Sequence, residues 1–173
     1  MALSSCTLAV SALFLQRKNL SGNFRFIPSY IIVGVFSAAV LYAVFAVGNF
    51  TASRLFSFAQ REISGIYGLK AQSNPLTVGF ILFFLIAPAE EIFWRGFLQR
   101  KLARRQGALK GCLIAASIYA LVHLWAFNFM LFAAALICGL FWGFIYMRYR
   151  SLWPGMISHA LWDLFIFILL PVR

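Results

Sequence analysis

The sequence predicts an all-α, polytopic membrane bundle of five to six transmembrane helices around a buried polar chamber, and three observations predict it. First, the 173 residues are 63% hydrophobic, 11% charged and have a mean hydropathy of +0.88. A water-soluble domain is roughly half apolar and about a quarter charged. Second, the apolar residues gather into stretches near the ~20 residues that a bilayer-crossing helix needs, separated by short basic links. Third, three of the four acidic residues (Glu90, Glu91 and Asp163) and both histidines (His123 and His159) lie inside those stretches. An ionisable group there costs roughly 2.5 kcal/mol or more, which marks it as functional by default.

Taken in chain order, the first apolar stretch, Ala2 to Leu15, is short for a span and reads as a truncated or half-inserted helix. Nothing basic precedes its apolar run from Leu8 to Leu15, so it is not read as a cleavable signal peptide. Five longer stretches follow: Ile27 to Phe50, Pro75 to Leu98, Ala108 to Phe127, Phe129 to Tyr146 and Trp153 to Leu170. Each can span with some tilt. From Arg54 to Leu69, Leu55, Phe56, Ala59, Ile63, Ile66 and Tyr67 recur at helical spacing against Arg61, Glu62 and Ser64, the pattern of an interfacial helix. Gly139 and Gly143 make a small-xxx-small face that lets a neighbouring helix approach closely. Ser151 and Pro154 mark the start of the last helix, one as a cap and the other in the first turn. No internal repeat or low-complexity tract divides the chain. Residues 1–173 therefore read as a single transmembrane domain, with a motif-bearing core at about 75–170.

The formal charge of +11 comes from fifteen Lys and Arg set in short clusters between the apolar stretches. Such scatter fits loops held at an anionic membrane surface and lacks the continuous basic stripe of a nucleic-acid binder. Placing the loops at Gln16, Arg100 and Arg148 in the cytoplasm satisfies the positive-inside rule. Cys6, Cys112 and Cys138 are odd in number and lack CxxC spacing, so they read as small buried hydrophobes, with no disulfide framework or thiolate metal site.

Glu91 and Arg95 are one helical turn apart and can pair, whereas the neighbouring Glu90 points about 100° away and has no local cation. Glu90 is thus a candidate general base or a hydrogen-bonding group across a helix interface. Pro88 just before it can kink the helix and free backbone carbonyls. The fourth stretch contributes Tyr119 and His123, and the sixth contributes His159 and Asp163 one turn apart. Counted along the helices from the basic flanks, Glu90 lies about 15 Å from Arg100, His123 about 20 Å from Lys110, His159 about 14 Å from Arg150 and Asp163 near ~20 Å. All four fall in one slab near the bilayer midplane. There, Glu90 and His123 can polarise a water while His159 and residue 163 stabilise the oxyanion of an attacked amide, a set-up for peptide-bond hydrolysis within the membrane. Glu90, His123, His159 and Asp163 also supply enough nitrogen and oxygen ligands for zinc, although no HExxH is present. Spacing does not separate the two routes.

At these residues the chain resembles the CPBP family of intramembrane proteases, the CAAX prenyl endopeptidase and bacteriocin-processing group also called the Abi family. The family motifs EExxxR, FxxxH and HxxxN or HxxxD have counterparts, in order, at Glu90-Glu91 to Arg95, Tyr119 to His123 and His159 to Asp163. The resemblance implies Glu90 as the base, His123 as its partner on the water, His159 with Asp163 at the oxyanion, and Glu91 with Arg95 holding the helix. Two positions depart from the pattern. Tyr119 replaces the usual Phe and adds a hydroxyl that needs a partner, and Asp163 stands where many members carry Asn. An ionised aspartate accepts hydrogen bonds only, whereas a protonated one can donate. The resemblance further implies a membrane-anchored or hydrophobic peptide substrate cut near its C-terminus, in a bacterial inner membrane. Readings from other classes are a non-catalytic bacteriocin-immunity or scaffold protein and a proton-coupled transport component.

Overall fold

The structure is a computed structural model and describes residues 2–16, 21–68 and 74–172. Within them the chain forms helices and no strand: α1 (Ala2–Gln16), α2 (Ser29–Leu55), α3 (Ala59–Gly68), α4 (Pro75–Gln106), α5 (Ala108–Ala126), α6 (Phe129–Tyr149) and α7 (Trp153–Leu169). A single 3-10 turn, Ser21–Asn23, precedes α2. Helices α2, α4, α5 and α6 are long and apolar enough to cross a bilayer, and the segments Leu3–Leu15 and Trp153–Leu169 are shorter apolar helices. Of the five to six spans expected from the sequence, four have helices of full length among the described residues, and the other two apolar helices are shorter than that. With 15 residues, α1 covers only ~22 Å of a hydrocarbon core ~30 Å thick.

Local chemistry sets several helix ends. Asn74 caps α4 by accepting from the amide of Leu76 at 2.9 Å, with Pro75 in the first turn, where its missing N–H costs nothing. Asn128 caps α6 in the same way, accepting from Leu131 N at 2.7 Å. Gly107 takes φ 89° between α4 and α5, a conformation that other residues rarely adopt. The N-cap of α7 is Leu152, without a side-chain bond, rather than the expected Ser151; one residue earlier, the Ser151 hydroxyl accepts from Trp153 N at 3.3 Å and donates to Arg25 O at 2.7 Å, which ties the start of α7 to the segment before α2. The amphipathic helix expected from Arg54 forms only from Ala59, because α2 runs on to Leu55 and Phe56 then turns extended. Leu69, at the end of that stretch, lies outside the described residues.

Pro88 acts on α4 by widening it. Turns of π geometry run over Leu82–Ile86 and Ile92–Gln99, on either side of the turn that carries Glu90 and Glu91. A proline without its N–H leaves the carbonyl four residues back unbonded, and a five-residue register on each side can absorb the mismatch.

Small residues let the helices close on one another. A Cβ on Gly139 would lie 3.2 Å from Ala116, one on Gly143 would lie 2.8 Å from the Cys112 sulfur, and one on Gly34 would lie 2.5 Å from Ile157. These contacts join α5 to α6 and α2 to α7, and the small-residue face expected on α6 is the one that packs on α5. The core between them holds Leu41, Trp94, Tyr119, Trp142, Trp162 and Ile166. Ile32, Phe36, Leu76 and Phe80 face outward and are largely exposed, as lipid-facing side chains are. At one end of the bundle, Tyr67 Oη donates to Ile166 O at 3.1 Å and the Glu62 carboxylate accepts from Met130 N at 2.9 Å. At the other end, the turn at Asn23, the end of α4 and the end of α6 come together.

Gly111 is the most restrictive contact, because a Cβ there would press on the Ala103 backbone across the α4–α5 turn. Gly111→Ala is expected to destabilise the protein by about 1–3 kcal/mol, measured by thermal unfolding in detergent. Gly48→Ala, where nothing lies within 4 Å, is expected to have no such effect.

Candidate active site

The widened turn of α4 sends its adjacent glutamates to different neighbours. Glu91 Oε1 lies 3.0 Å from Arg95 Nη1 and 3.0 Å from His159 Nδ1, with the Glu91 and Arg95 side chains 1% and 2% exposed. The Arg95 contact is an ion pair without hydrogen-bond alignment at Nη1, while Nη2 donates to the carbonyls of Cys138 and Gly139 on α6 at 3.3 Å each. The expected Glu91–Arg95 pair is therefore present, and it reaches further than the sequence indicates, into α6 and α7. The Arg95 guanidinium also sits 5.1 Å from the Tyr119 ring and 5.4 Å from the Trp142 ring, within cation–π range.

Glu90 is buried and has no ion-pair partner among the described residues. Its Oε2 accepts from Tyr119 Oη at 2.9 Å and its Oε1 from Ser5 Oγ at 3.3 Å. Tyr119, the departure from the motif's Phe, thus finds its hydroxyl partner in the carboxylate of the neighbouring motif. Ser5 was not singled out from the sequence. Ser5, Ala9 and Ala12 are buried at helical spacing, so a small-residue stripe on α1 was the available signal.

His123 is half-buried on the 3-10 turn Val122–Ala126 that ends α5. Its Nδ1 lies 2.8 Å from Tyr119 O, and the rings of the two residues meet edge to face at 4.9 Å. A carbonyl oxygen can only accept, so Nδ1 carries the hydrogen, which leaves Nε2 of the neutral ring as the acceptor. Tyr119 therefore links the two, with its hydroxyl on Glu90 and its carbonyl on His123.

His159 and Asp163 share a face of α7, as their spacing predicts, with Nε2 of the ring 3.6 Å from Oδ2. That distance exceeds a hydrogen bond. The imidazole stacks on Trp142 at 3.7 Å and 17°, and Trp142 Nε1 donates to Ser158 Oγ at 3.2 Å. Trp142 lies between Gly139 and Gly143 in sequence, yet its role depends on how α6 and α7 cross, which sequence spacing does not give. The structure brings Glu91, Arg95, His159 and Asp163 into one connected group and Glu90, Tyr119 and His123 into a second. The two groups share the Glu90–Glu91 turn, and Glu90 is within electrostatic range of His159.

Among the described residues no three His, Cys, Asp or Glu side chains are placed to hold one metal ion. His159 presents Nδ1 to Glu91 and Nε2 toward Asp163, and His123 spends Nδ1 on a backbone carbonyl, which leaves its Nε2 as the open nitrogen.

A family model described as type II CAAX prenyl endopeptidase Rce1-like matches residues 72–165, more than half of the chain and all three motifs. No curated protein and no solved structure matches the chain.

Removing one partner from a buried charge pair leaves the other uncompensated, at a cost of about 3–5 kcal/mol. Glu91→Gln is expected to lower thermal stability in detergent by about that much. Glu90→Gln, which disturbs only two bonds from neutral hydroxyls, is expected to unfold close to the wild-type temperature.

Proposed function

Because the chain belongs to the Rce1-like type II CAAX prenyl endopeptidase family, and so is a CAAX-type intramembrane protease, we propose that Glu90 is its general base. The observation that carries this reading is the state of the Glu90 carboxylate, which is buried, unpaired with any cation among the described residues, and oriented by two neutral hydroxyls. A carboxylate held this way is positioned and still able to accept a proton, whereas Glu91 is committed to Arg95 and His159.

In the proposed reaction a water between Glu90 and His123 attacks the scissile carbonyl. Its proton passes to Glu90, with the acceptor Nε2 of His123 holding the water in place. His159, doubly protonated between Glu91 and Asp163, offers Nε2–H to the oxyanion as the tetrahedral intermediate forms. Asp163 then orients the ring and balances its charge, a role that an ionised aspartate can fill. When the C–N bond breaks, the proton taken from water goes to the departing amine. The route uses no metal.

The family supports a peptide substrate in the membrane. The finer reading is a membrane-anchored or hydrophobic peptide cut near its C-terminus by an enzyme of the bacterial inner membrane. The four helices long and apolar enough to cross a bilayer support a substrate that approaches from the membrane.

With a fluorogenic hydrophobic peptide ending in a CAAX sequence as probe, Glu90→Gln is expected to lower kcat by about a thousandfold or more while the protein stays folded. Near wild-type turnover by this variant would remove Glu90 from the role. Prolonged treatment with a zinc chelator, followed by metal analysis, is expected to leave activity unchanged. Loss of activity on chelation that zinc restores would replace the metal-free route.

A further inference from the structure

At the basic end of the bundle, well away from Glu90, the last turns of α4, the end of α6 and the turn before α2 border a half-open cavity of about 300 Å³. Asn23, Arg100, Arg104, Tyr146 and Arg150 line it. Three guanidinium groups from two helix ends therefore converge on one space, and no Asp or Glu is among the lining residues.

The chain's four acidic side chains lie elsewhere in the bundle. Of its four acids, Glu62 accepts from Met130 N at the opposite end, and Glu90, Glu91 and Asp163 belong to the buried site. Like charges around a shared cavity repel, and an anion with several acceptor oxygens removes that repulsion. The arginine fork matches phosphate in particular, donating two N–H groups side by side to two of its oxygens.

The cavity is also built, with a fixed floor. Tyr146 is buried, donates its hydroxyl to Asn23 Oδ1 at 2.9 Å, and has all three arginines within electrostatic range. Asn23, itself buried, donates Nδ2 to Gly96 O at 3.1 Å and accepts from Leu152 N through its carbonyl at 2.8 Å. Arg150 reaches the cavity from a left-handed residue at φ 53° that ends α6.

Its position argues for the source of the phosphate. The arginines sit where the full-length helices α4 and α6 end, on the side that the positive-inside rule assigns to the cytoplasm, whose leaflet carries anionic lipids. The segments that supply the lining continue into exposed apolar side chains, Phe26 and Ile27 after Asn23 and Leu109 after the end of α4, which suit acyl chains. We propose that this cavity is a phosphate site occupied by the headgroup of an acidic phospholipid, which clamps the ends of α4 and α6 to the turn at Asn23.

The test uses the full-length protein in detergent, with dioleoyl phosphatidylglycerol and dioleoyl phosphatidylcholine titrated separately and bound lipid counted by native mass spectrometry. The wild type is expected to hold the acidic lipid more tightly than the zwitterionic one, and the triple variant Arg100→Gln/Arg104→Gln/Arg150→Gln to lose on the order of a hundredfold in that affinity. Arg54→Gln/Arg61→Gln, outside the cavity, is expected to keep it. Should the triple variant fail to fold, the exposed Arg104→Gln alone is expected to lose roughly fivefold. Unchanged retention of phosphatidylglycerol in the arginine variants overturns the proposal. So does equal retention of both lipids, full displacement of the lipid by millimolar inorganic phosphate, or displacement by a peptide bearing a free C-terminal carboxylate.

Discussion

The Glu91 carboxylate, held between Arg95 and His159, is the contact on which the rest of the site depends. It is almost inaccessible to solvent and so are both partners. Ionised groups in such a place require several simultaneous contacts to offset their desolvation. The protein supplies them from three helices: Arg95 donates to two carbonyls of α6, and His159 comes in from α7. This works only if the helices lie very close, which glycines permit. A Cβ on Gly155 would sit 2.9 Å from Glu91 Oε2, and one on Gly139 would push α6 away from α5. Packing and electrostatics are therefore one requirement here: the small residues bring the backbones together, and the charge group fixes how they meet.

Against that rigid group, Glu90 is set apart by rotation about a single helix. Adjacent residues differ by about 100° in direction, so Glu91 faces α6 and α7 while Glu90 meets the Tyr119 and Ser5 hydroxyls. The paired glutamates of the motif thereby divide the work. One is consumed in holding three helices together, and the other meets only neutral hydroxyls. The π-widened turns beside Pro88 place that division at mid-helix, where a regular helix would have left a carbonyl unbonded.

What the sequence made legible follows from what periodicity encodes. Pairs one turn apart, Glu91 with Arg95 and His159 with Asp163, were readable because both members ride on one helix, and both pairs appear. The glycine face of α6 was readable for the same reason. Contacts across helices were not: Ser5 on Glu90, His159 on Glu91 and Trp142 under His159 depend on the rotation of each helix about its axis. The π turns of α4 shift that rotation by inserting residues into the register, which hydropathy does not record. Helix ends were misjudged where apolar character and helix length diverge. Arg100–Gln106 is polar, yet it continues α4, because the basic last turn suits a helix C-terminus.

Stacking on Trp142 has a consequence for how protons travel. An imidazole can trade the positions of its two nitrogens only by turning about its bond to the chain, which sweeps the ring edge through the space above its face. In His159 that space is filled by the indole at 3.7 Å, and Trp142 is itself fully enclosed and tethered to Ser158. The two nitrogens therefore keep their places, one turned to Glu91 and the other to the Asp163 side. Aromatic packing in the core thus gives the ring a fixed polarity, and in the reaction proposed above a proton held there would have a defined side from which to leave.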